Sequence, residues 1–248
     1  MKLFLTSSPC NDDVPEGCGL PCVFFERNRF VENLRACYTP GRTFAAVAAW
    51  PDAFALNDEM LGTFRDCFAW HGMPFTDAVI IDSRNRQDAA RIIRESGALM
   101  LSGGHVPTEN AFFRELGLKE LLANYDGILM GVSAGSMNSC GTVYAQPEEP
   151  GEAVDPAYRR FIEGLGLTDV MVLPHYNRVR DTYVDGKHLF RDLTLPDSMG
   201  RSFYILPDGS YVFSDGHQAT LYGEAWLARN GIMTKIQEDG ESCLLPMA

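Results

Sequence analysis

The sequence predicts one α/β domain in which helices wrap a mostly parallel, doubly wound sheet. The chain has 248 residues, of which 46% are hydrophobic, and no Pro/Ser-rich linker divides it, so residues 1–248 are expected to form a single domain. Short apolar runs alternate with helix-like segments through the first half, the pattern typical of parallel sheets. Short runs separated by turns at residues 201–235 predict antiparallel strands added to the end of that sheet.

Hydrophobic periodicity gives the approximate order of the elements. Strands are predicted at residues 2–6, 43–49, 78–81, 98–101, 128–130 and 169–173. Helices are predicted at residues 27–38, 56–71, 86–96, 108–116, 118–124, 156–165 and 183–193. In doubly wound sheets, active sites lie beyond the carboxyl ends of the strands, which directs attention to residues 102–105, 131–135 and 174–176.

The composition of the chain indicates which kinds of binding partner and which cellular location to expect. The formal charge of −12 is spread along the chain, and such a surface repels nucleic acids and anionic membranes. The first apolar run is too short for a secretory signal, and no apolar stretch approaches the length of a membrane span. Seven scattered cysteines, an odd number, indicate a reducing compartment, so a cytoplasmic location is predicted.

The cysteine spacing gives little reason to expect a metal. Cys18 and Cys22 have a CxxxC spacing, but no second pair of Cys or His residues follows at the spacing of zinc ligands. Neither a metal site nor a cofactor is therefore predicted.

Residues 131–135 have the Gly-x-Ser-x-Gly pattern of a nucleophile elbow. An apolar strand precedes Ser133 and small helix-compatible residues follow it. The two glycines are needed because a serine on so sharp a turn brings both neighbouring elements close to the backbone. Ser133 is the predicted nucleophile.

An activated serine needs a base and donors for the oxyanion. His175 ends a predicted strand and is favoured as the base over His217, which follows a turn near the carboxyl terminus. The backbone amides of Gly104 and Ala134 are the candidate oxyanion hole, and His105 is expected to line the cleft beside Gly104.

Three motifs in this order resemble the dipeptidase E and cyanophycinase family of serine peptidases. They are residues 101–104 (LSGG), 131–136 (GVSAGS) and 173–176 (LPHY), with further similarity at residues 3–8 and 214–219. The resemblance implies the three-layer sandwich that class I glutamine amidotransferases also use. It also implies hydrolysis of small peptides next to acidic residues.

Carried onto this sequence, the resemblance makes Ser133 the nucleophile and His175 the base, and it places the third member of the triad at Glu148. Glutamate replaces the family's aspartate there, so three other carboxylates of the same loop compete with it: Glu149, Glu152 and Asp155. Arg178 and Arg180 are candidates for holding a substrate carboxylate.

Two other functions stay open from the sequence. An α/β-hydrolase esterase would share the elbow but use His217 with Asp197 or Asp208, and a catalytically silent binding protein would keep only the scaffold. The oligomeric state is also open, with a homodimer as a common arrangement among small α/β enzymes.

Overall fold

A computed structural model of the chain describes residues 1–246. Its strands are β1 (Lys2–Thr6), β2 (Cys10–Asn11), β3 (Val23–Phe24), β4 (Thr43–Val47), β5 (Ala78–Ile81), β6 (Ser96–Leu101), β7 (Ile128–Val132), β8 (Thr142–Tyr144), β9 (Phe161–Glu163), β10 (Met171–Leu173), β11 (Tyr183–Val184), β12 (Lys187–His188), β13 (Ser202–Ile205), β14 (Tyr211–Ser214), β15 (Ala219–Tyr222), β16 (Ala225–Arg229), β17 (Ile232–Gln237) and β18 (Ser242–Leu245). Its α-helices are α1 (Phe30–Cys37), α2 (Phe54–Trp70), α3 (Ala89–Glu95), α4 (Val106–Leu116), α5 (Leu118–Leu122), α6 (Ala134–Asn138), α7 (Tyr176–Val179) and α8 (Leu195–Asp197).

The central sheet has eight strands in the order β18-β15-β14-β1-β7-β6-β4-β5. The five strands from β1 to β5 along this order run parallel to one another. At the other end, β14, β15 and β18 are each antiparallel to their neighbours. The predicted mostly parallel sheet with antiparallel additions is therefore confirmed.

Both faces of the parallel strands are buried, which is why these strands read as nearly continuous apolar runs. In β1, for example, Leu3 and Leu5 pack into one core, whereas Phe4 packs into the other. The first core is covered by α3, α4 and α5. The second is covered by α1 and α2. Helices, sheet and helices thus form the three layers that were expected.

In helix α2, the spacing of the apolar residues determines which face of the helix packs against the sheet. Phe64, Cys67 and Phe68 are buried against the sheet, while Leu56 and Trp70 are exposed. With 17 residues it is longer than the other helices described. Within residues 1–246, no helix combines the length and the apolar character needed to cross a membrane.

A second sheet of four strands, in the order β10-β13-β16-β17, was not expected. The sequence had placed residues 169–173 at the same sheet edge as Ser133, and had assigned all the late strands to the main sheet. Instead β10 pairs in parallel with β13, and β13 pairs antiparallel with β16. Alternating apolar patterns show that a strand exists but not which neighbour it pairs with, since register and partner are set by tertiary packing.

Two predicted helices are also replaced by other structure. Within residues 156–165, the ordered element is the short strand β9, which pairs with β8. Within residues 183–193, the hairpin β11–β12 is followed by a π-helical segment, Leu189–Thr194. Asp185 and Gly186 have left-handed backbone conformations in that hairpin, and these conformations end any helix at that point.

A fully buried carboxyl group, that of Glu109 on α4, lies against α6, the helix that follows Ser133. Glu109 accepts a hydrogen bond of 2.8 Å from Asn138 Nδ2 through Oε2, and its Oε1 has no partner. Burial raises the pKa of Glu109 well above its ordinary value. The folded chain therefore favours a neutral carboxyl group here.

Replacing Glu109 by Gln is expected to flatten the pH dependence of stability. The unfolded carboxyl ionises near pH 4.5, whereas the folded one keeps its proton, so the folded state binds more protons and loses stability as the pH rises above that value. The slope from one such group is at most about 1.4 kcal/mol per pH unit. Urea unfolding at several pH values between about 5 and 8 measures it. Parallel curves for the two proteins would contradict this role.

Candidate active site

Ser133 lies on a sharp turn between β7 and α6. Its backbone angles are φ 51° and ψ −112°, a conformation that non-glycine residues rarely adopt. A Cβ at position 131 would lie 2.7 Å from the Cα of Ser136, and one at position 135 would lie 2.3 Å from the carbonyl oxygen of Leu101. Both flanking glycines are thus required by close backbone approach, as the sequence pattern predicted.

The elbow is anchored to the end of β1. The N–H of Ser133 donates to the carbonyl oxygens of Thr6 and Ser7, at 3.1 and 3.0 Å. Ser136 Oγ also donates to Thr6 O, at 2.8 Å. These contacts fix Ser133 relative to the segment that follows β1.

His175 follows β10 and forms a hydrogen bond with Asp208. Its Nδ1 lies 2.7 Å from Asp208 Oδ1. The two residues meet because β10 and β13 are parallel neighbours, with Leu173 opposite Ile205, so their carboxyl ends lie side by side. His175 is two positions past β10, and Asp208 is three positions past β13 in a turn. His175 itself has a left-handed backbone, with φ 58°.

Asp208 is held as a carboxylate by three donors. Oδ1 accepts from His175 Nδ1 and from Ser7 Oγ, each at 2.7 Å, and Oδ2 lies 2.9 Å from Arg178 Nε. Partial burial disfavours the charged form, but these donors and the guanidinium charge outweigh it and lower the pKa of Asp208. A charged carboxylate at Nδ1 holds the imidazole in the tautomer that leaves Nε2 unprotonated.

Ser7 connects these parts of the site and was not singled out from the sequence. It is fully buried. Its carbonyl accepts from Ser133 N–H, its hydroxyl donates to Asp208, and the same hydroxyl accepts from the N–H of His175 at 2.7 Å. The available signal was its position, because Ser7 comes directly after a buried parallel strand.

Glu148, the carboxylate predicted to orient His175, makes no hydrogen bond to it. Its backbone N–H donates to Glu152 Oε2 at 2.8 Å. Desolvation of the carboxyl group, together with the negative charge of Glu152, raises the pKa of Glu148 to about 7, although the residue as a whole is exposed. Asp208 occupies the ring nitrogen that Glu148 would need.

Two of the three competing carboxylates of the same loop, Glu152 and Asp155, are engaged elsewhere. Glu152 Oε1 lies 2.7 Å from His105 Nε2, and its Oε2 also accepts from Glu149 N–H. Asp155 accepts from the N–H of Ala157 at 2.8 Å. Burial disfavours ionisation of Glu152, but the backbone donors and His105 together lower its pKa. The loop supplies a partner for His105 rather than for His175.

The site thus contains two histidine–carboxylate pairs, and only one has a free ring nitrogen. Both nitrogens of His105 are occupied, Nε2 by Glu152 and Nδ1 by Thr108 Oγ1 at 2.8 Å. Within residues 1–246, Nε2 of His175 has no hydrogen-bond partner. Ser133 Oγ is not yet bonded to it either, and such bonds often tighten only when substrate binds. His175 is the histidine that can accept a proton.

Two backbone amides near Ser133 are available to an oxyanion. Among the described residues, the N–H groups of Gly104 and Ala134 donate to no protein acceptor, and Ala134 is nearly fully buried. A buried amide without a partner needs an explanation, since most such groups are paired. A Cβ added at Gly103 would lie 3.3 Å from Ser133 Cβ, which places Gly103, the neighbour of Gly104, directly beside Ser133.

His217 lies at the other end of the sheet from Ser133. It follows β14, which runs antiparallel to β1 with Ser214 opposite Leu3, while Ser133 follows Val132, opposite Thr6. Three residue steps of strand separate the two ends, about 10 Å. Asp197, its other proposed partner, binds Tyr144 and Arg160. The structure therefore does not assemble the esterase arrangement.

The two candidate substrate-binding arginines differ in their partners. Arg178 pairs with Asp208, as described above. Arg180 pairs at 3.1 Å with its neighbour Asp181, and both side chains are mainly exposed. An ion pair of this kind contributes at most about 1 kcal/mol, so Arg180 is the guanidinium more readily released to a ligand.

Comparison with known proteins identifies a matching family and a similar fold. The model of peptidase family S51 matches residues 40–222. Among solved structures, the 1.5 Å crystal structure of a "Putative Peptidase E Protein" from Listeria monocytogenes EGD-e is similar, with a TM-score of 0.58 and 14% identity. The alignment covers 95% of this chain and 98% of that one. No curated protein gives a significant match.

A fluorophosphonate probe is expected to label Ser133 in the folded protein. Ser133→Ala and His175→Ala should abolish labelling, because the first removes the nucleophile and the second removes its base. His217→Ala should label at the unaltered rate, and mass spectrometry of the digested protein locates the adduct. Loss of labelling in the His217 variant, or none in the unaltered protein, would contradict this description of the site.

Ser7→Ala is expected to slow the same labelling about tenfold or more. The change leaves the N–H of His175 unpaired and removes one donor from Asp208, and an unsatisfied buried group costs about 1–3 kcal/mol. Ser8→Ala is the matched control, because the hydroxyl of Ser8 contacts only the backbone of Cys10. Equal rates for the two variants would show that Ser7 does not position the site.

Proposed function

The chain belongs to peptidase family S51 and is a serine-type peptidase, and from this premise we propose that Ser133, His175 and Asp208 form its catalytic triad. Asp208 replaces Glu148, the residue that the sequence resemblance favoured. The observation that carries the proposal is the His175 ring, with Nδ1 bonded to Asp208 and Nε2 open.

The proposed reaction proceeds through an acyl-enzyme. Ser133 Oγ attacks the scissile carbonyl while His175 Nε2 takes its proton, and the same nitrogen then returns the proton to the leaving amine. Water, activated by His175, hydrolyses the ester and frees Ser133. Asp208 keeps the imidazole in position and stabilises its charged form during both steps.

The negative charge that develops on the carbonyl oxygen requires donors in place before the reaction. In the proposal, these are the amides of Gly104 and Ala134, which have no competing acceptor within residues 1–246. Removing one such donor from a serine hydrolase typically costs a factor of about 10²–10³ in kcat. A backbone donor cannot be deleted by side-chain substitution. However, a Cβ at position 104 would lie 2.6 Å from that of Ala49 and displace the loop.

The second part of the proposal concerns the substrate, a short peptide cleaved beside an acidic residue. The family resemblance motivates it, and the weak ion pair of Arg180 five positions beyond His175 supplies a cation for a substrate carboxylate. The carboxylate of Glu152, by contrast, is already paired with His105.

Asp208→Asn is expected to lower kcat by about 10³–10⁴-fold, as loss of the orienting carboxylate does in other serine peptidases. Glu148→Gln is the matched control and should change kcat less than tenfold, because Glu148 makes no hydrogen bond to His175. Peptide hydrolysis under saturating substrate measures both. The opposite ranking would restore Glu148 as the third member of the triad.

A panel of dipeptides with Asp, Glu, Ala or Lys at the amino terminus tests the substrate. We expect kcat/KM to be highest for Asp, and we expect Arg180→Ala to reduce it for the acidic peptides alone, by about tenfold. Arg191→Ala, which removes another exposed arginine paired with its neighbour Asp192, is the control. A higher kcat/KM for the Lys peptide would contradict the proposed acidic specificity but not the proposed triad. If no peptide were hydrolysed, a catalytically silent binding protein would be favoured.

A further inference from the structure

Three cysteines far apart in the sequence meet in the second core. Cys10 comes from β2, Cys22 directly precedes β3, and Cys67 lies on α2. Their sulfur atoms all lie within 4.8 Å of one another, and Cys22 Sγ is 3.8 Å from Cys67 Sγ. The antiparallel pairing of β2 with β3, which sets Cys10 opposite Phe24, brings two of the sulfurs to the helix that carries the third.

The spacing fits the coordination of one metal ion. Three sulfurs bound to Zn²⁺ at about 2.3 Å lie about 3.8 Å apart in tetrahedral geometry, close to the separation of Cys22 and Cys67. Thiolate sulfur selects thiophilic ions such as Zn²⁺ and Cu(I). Ordinary packing requires no such convergence, since a buried cysteine usually behaves as a small apolar side chain.

An unpartnered buried nitrogen also lies in this otherwise apolar part of the fold. His71 lies four positions after Cys67, and its buried Nε2 has no partner among the described residues. Phe24 stacks on the His71 ring with centroids 5.8 Å apart. Polar and thiol groups are thus gathered where the rest of the core is aromatic.

We propose that Cys10, Cys22 and Cys67 bind a single thiophilic metal ion, Zn²⁺ or Cu(I), as a structural site separate from Ser133. The sequence predicted no metal, because it compared Cys22 with Cys18 rather than with its spatial neighbours. Binding displaces thiol protons to solvent, so affinity falls as the pH falls. The ion ties the largely exposed segment of residues 12–21, which lies between Cys10 and Cys22, to α2.

Titration of the reduced, chelator-treated protein with Cd²⁺, as a spectroscopic substitute for Zn²⁺, and separately with Cu(I), tests the site. We expect a thiolate-to-metal charge-transfer band that saturates at one ion per chain. Cys22→Ser and Cys10→Ser should each weaken binding at least a hundredfold. Cys10 is only partly buried, so its variant is expected to fold even if variants of the buried cysteines do not.

Cys18→Ser and Cys37→Ser are the matched controls and should bind as the unaltered protein does. Both are partly buried free cysteines, and neither belongs to the three-sulfur group. Bound metal should also raise Tm and slow proteolysis within residues 12–21, and Cys10→Ser should remove both effects. A band that persists in the Cys10 and Cys22 variants would overturn the proposal.

Two other results would also overturn it. One is the absence of stoichiometric binding of either ion by the reduced protein. The other is that Cys22 and Cys67 form only a disulfide on oxidation while the reduced thiols bind no metal, which thiol counting and mass spectrometry detect. The metal titration does not depend on peptide hydrolysis, so its outcome and that of the catalytic proposal are independent.

Discussion

The geometry of the site depends on one buried hydroxyl group at the end of the first strand. Ser7 belongs to the segment that continues β1 of the main sheet, while His175 and Asp208 follow strands of the second sheet. Its backbone carbonyl holds the elbow and its side chain holds the histidine and the acid. Because one residue makes all of these contacts, the relative position of the two sheets sets the relative position of nucleophile and base.

The sequence was most informative where function depends on local geometry. Ser133 could be found because its turn demands glycine on both sides, and the structure shows the backbone contacts that make the demand. His175 was singled out because it comes just past a predicted buried strand, although that strand belongs to the second sheet and not to the sheet of Ser133. Local patterns of this kind need no knowledge of which elements become neighbours.

Asp208, the acidic member of the proposed triad, could not be found from local sequence patterns. Asp208 is separated from His175 by three strands and their connections, and it reaches His175 only because β10 pairs with β13 in a sheet that periodicity did not reveal. The sequence considered Asp208 only as a partner of His217. A match by position in the loop after the elbow indicated Glu148, but that loop turns its carboxylate, Glu152, towards His105. The group of three cysteines was not predicted for the same reason, since its members come from three separate parts of the fold.

Two of the three residues of the proposed triad have a positive backbone φ, 51° for Ser133 and 58° for His175. Each such conformation typically costs a folded protein about 1–3 kcal/mol, which the rest of the structure must offset. Glycine at position 175 would relieve part of that cost while destroying the base. Selection for stability alone would therefore act against catalysis. In a lineage that no longer needed hydrolysis, variants that had replaced His175 by glycine would be the more stable ones.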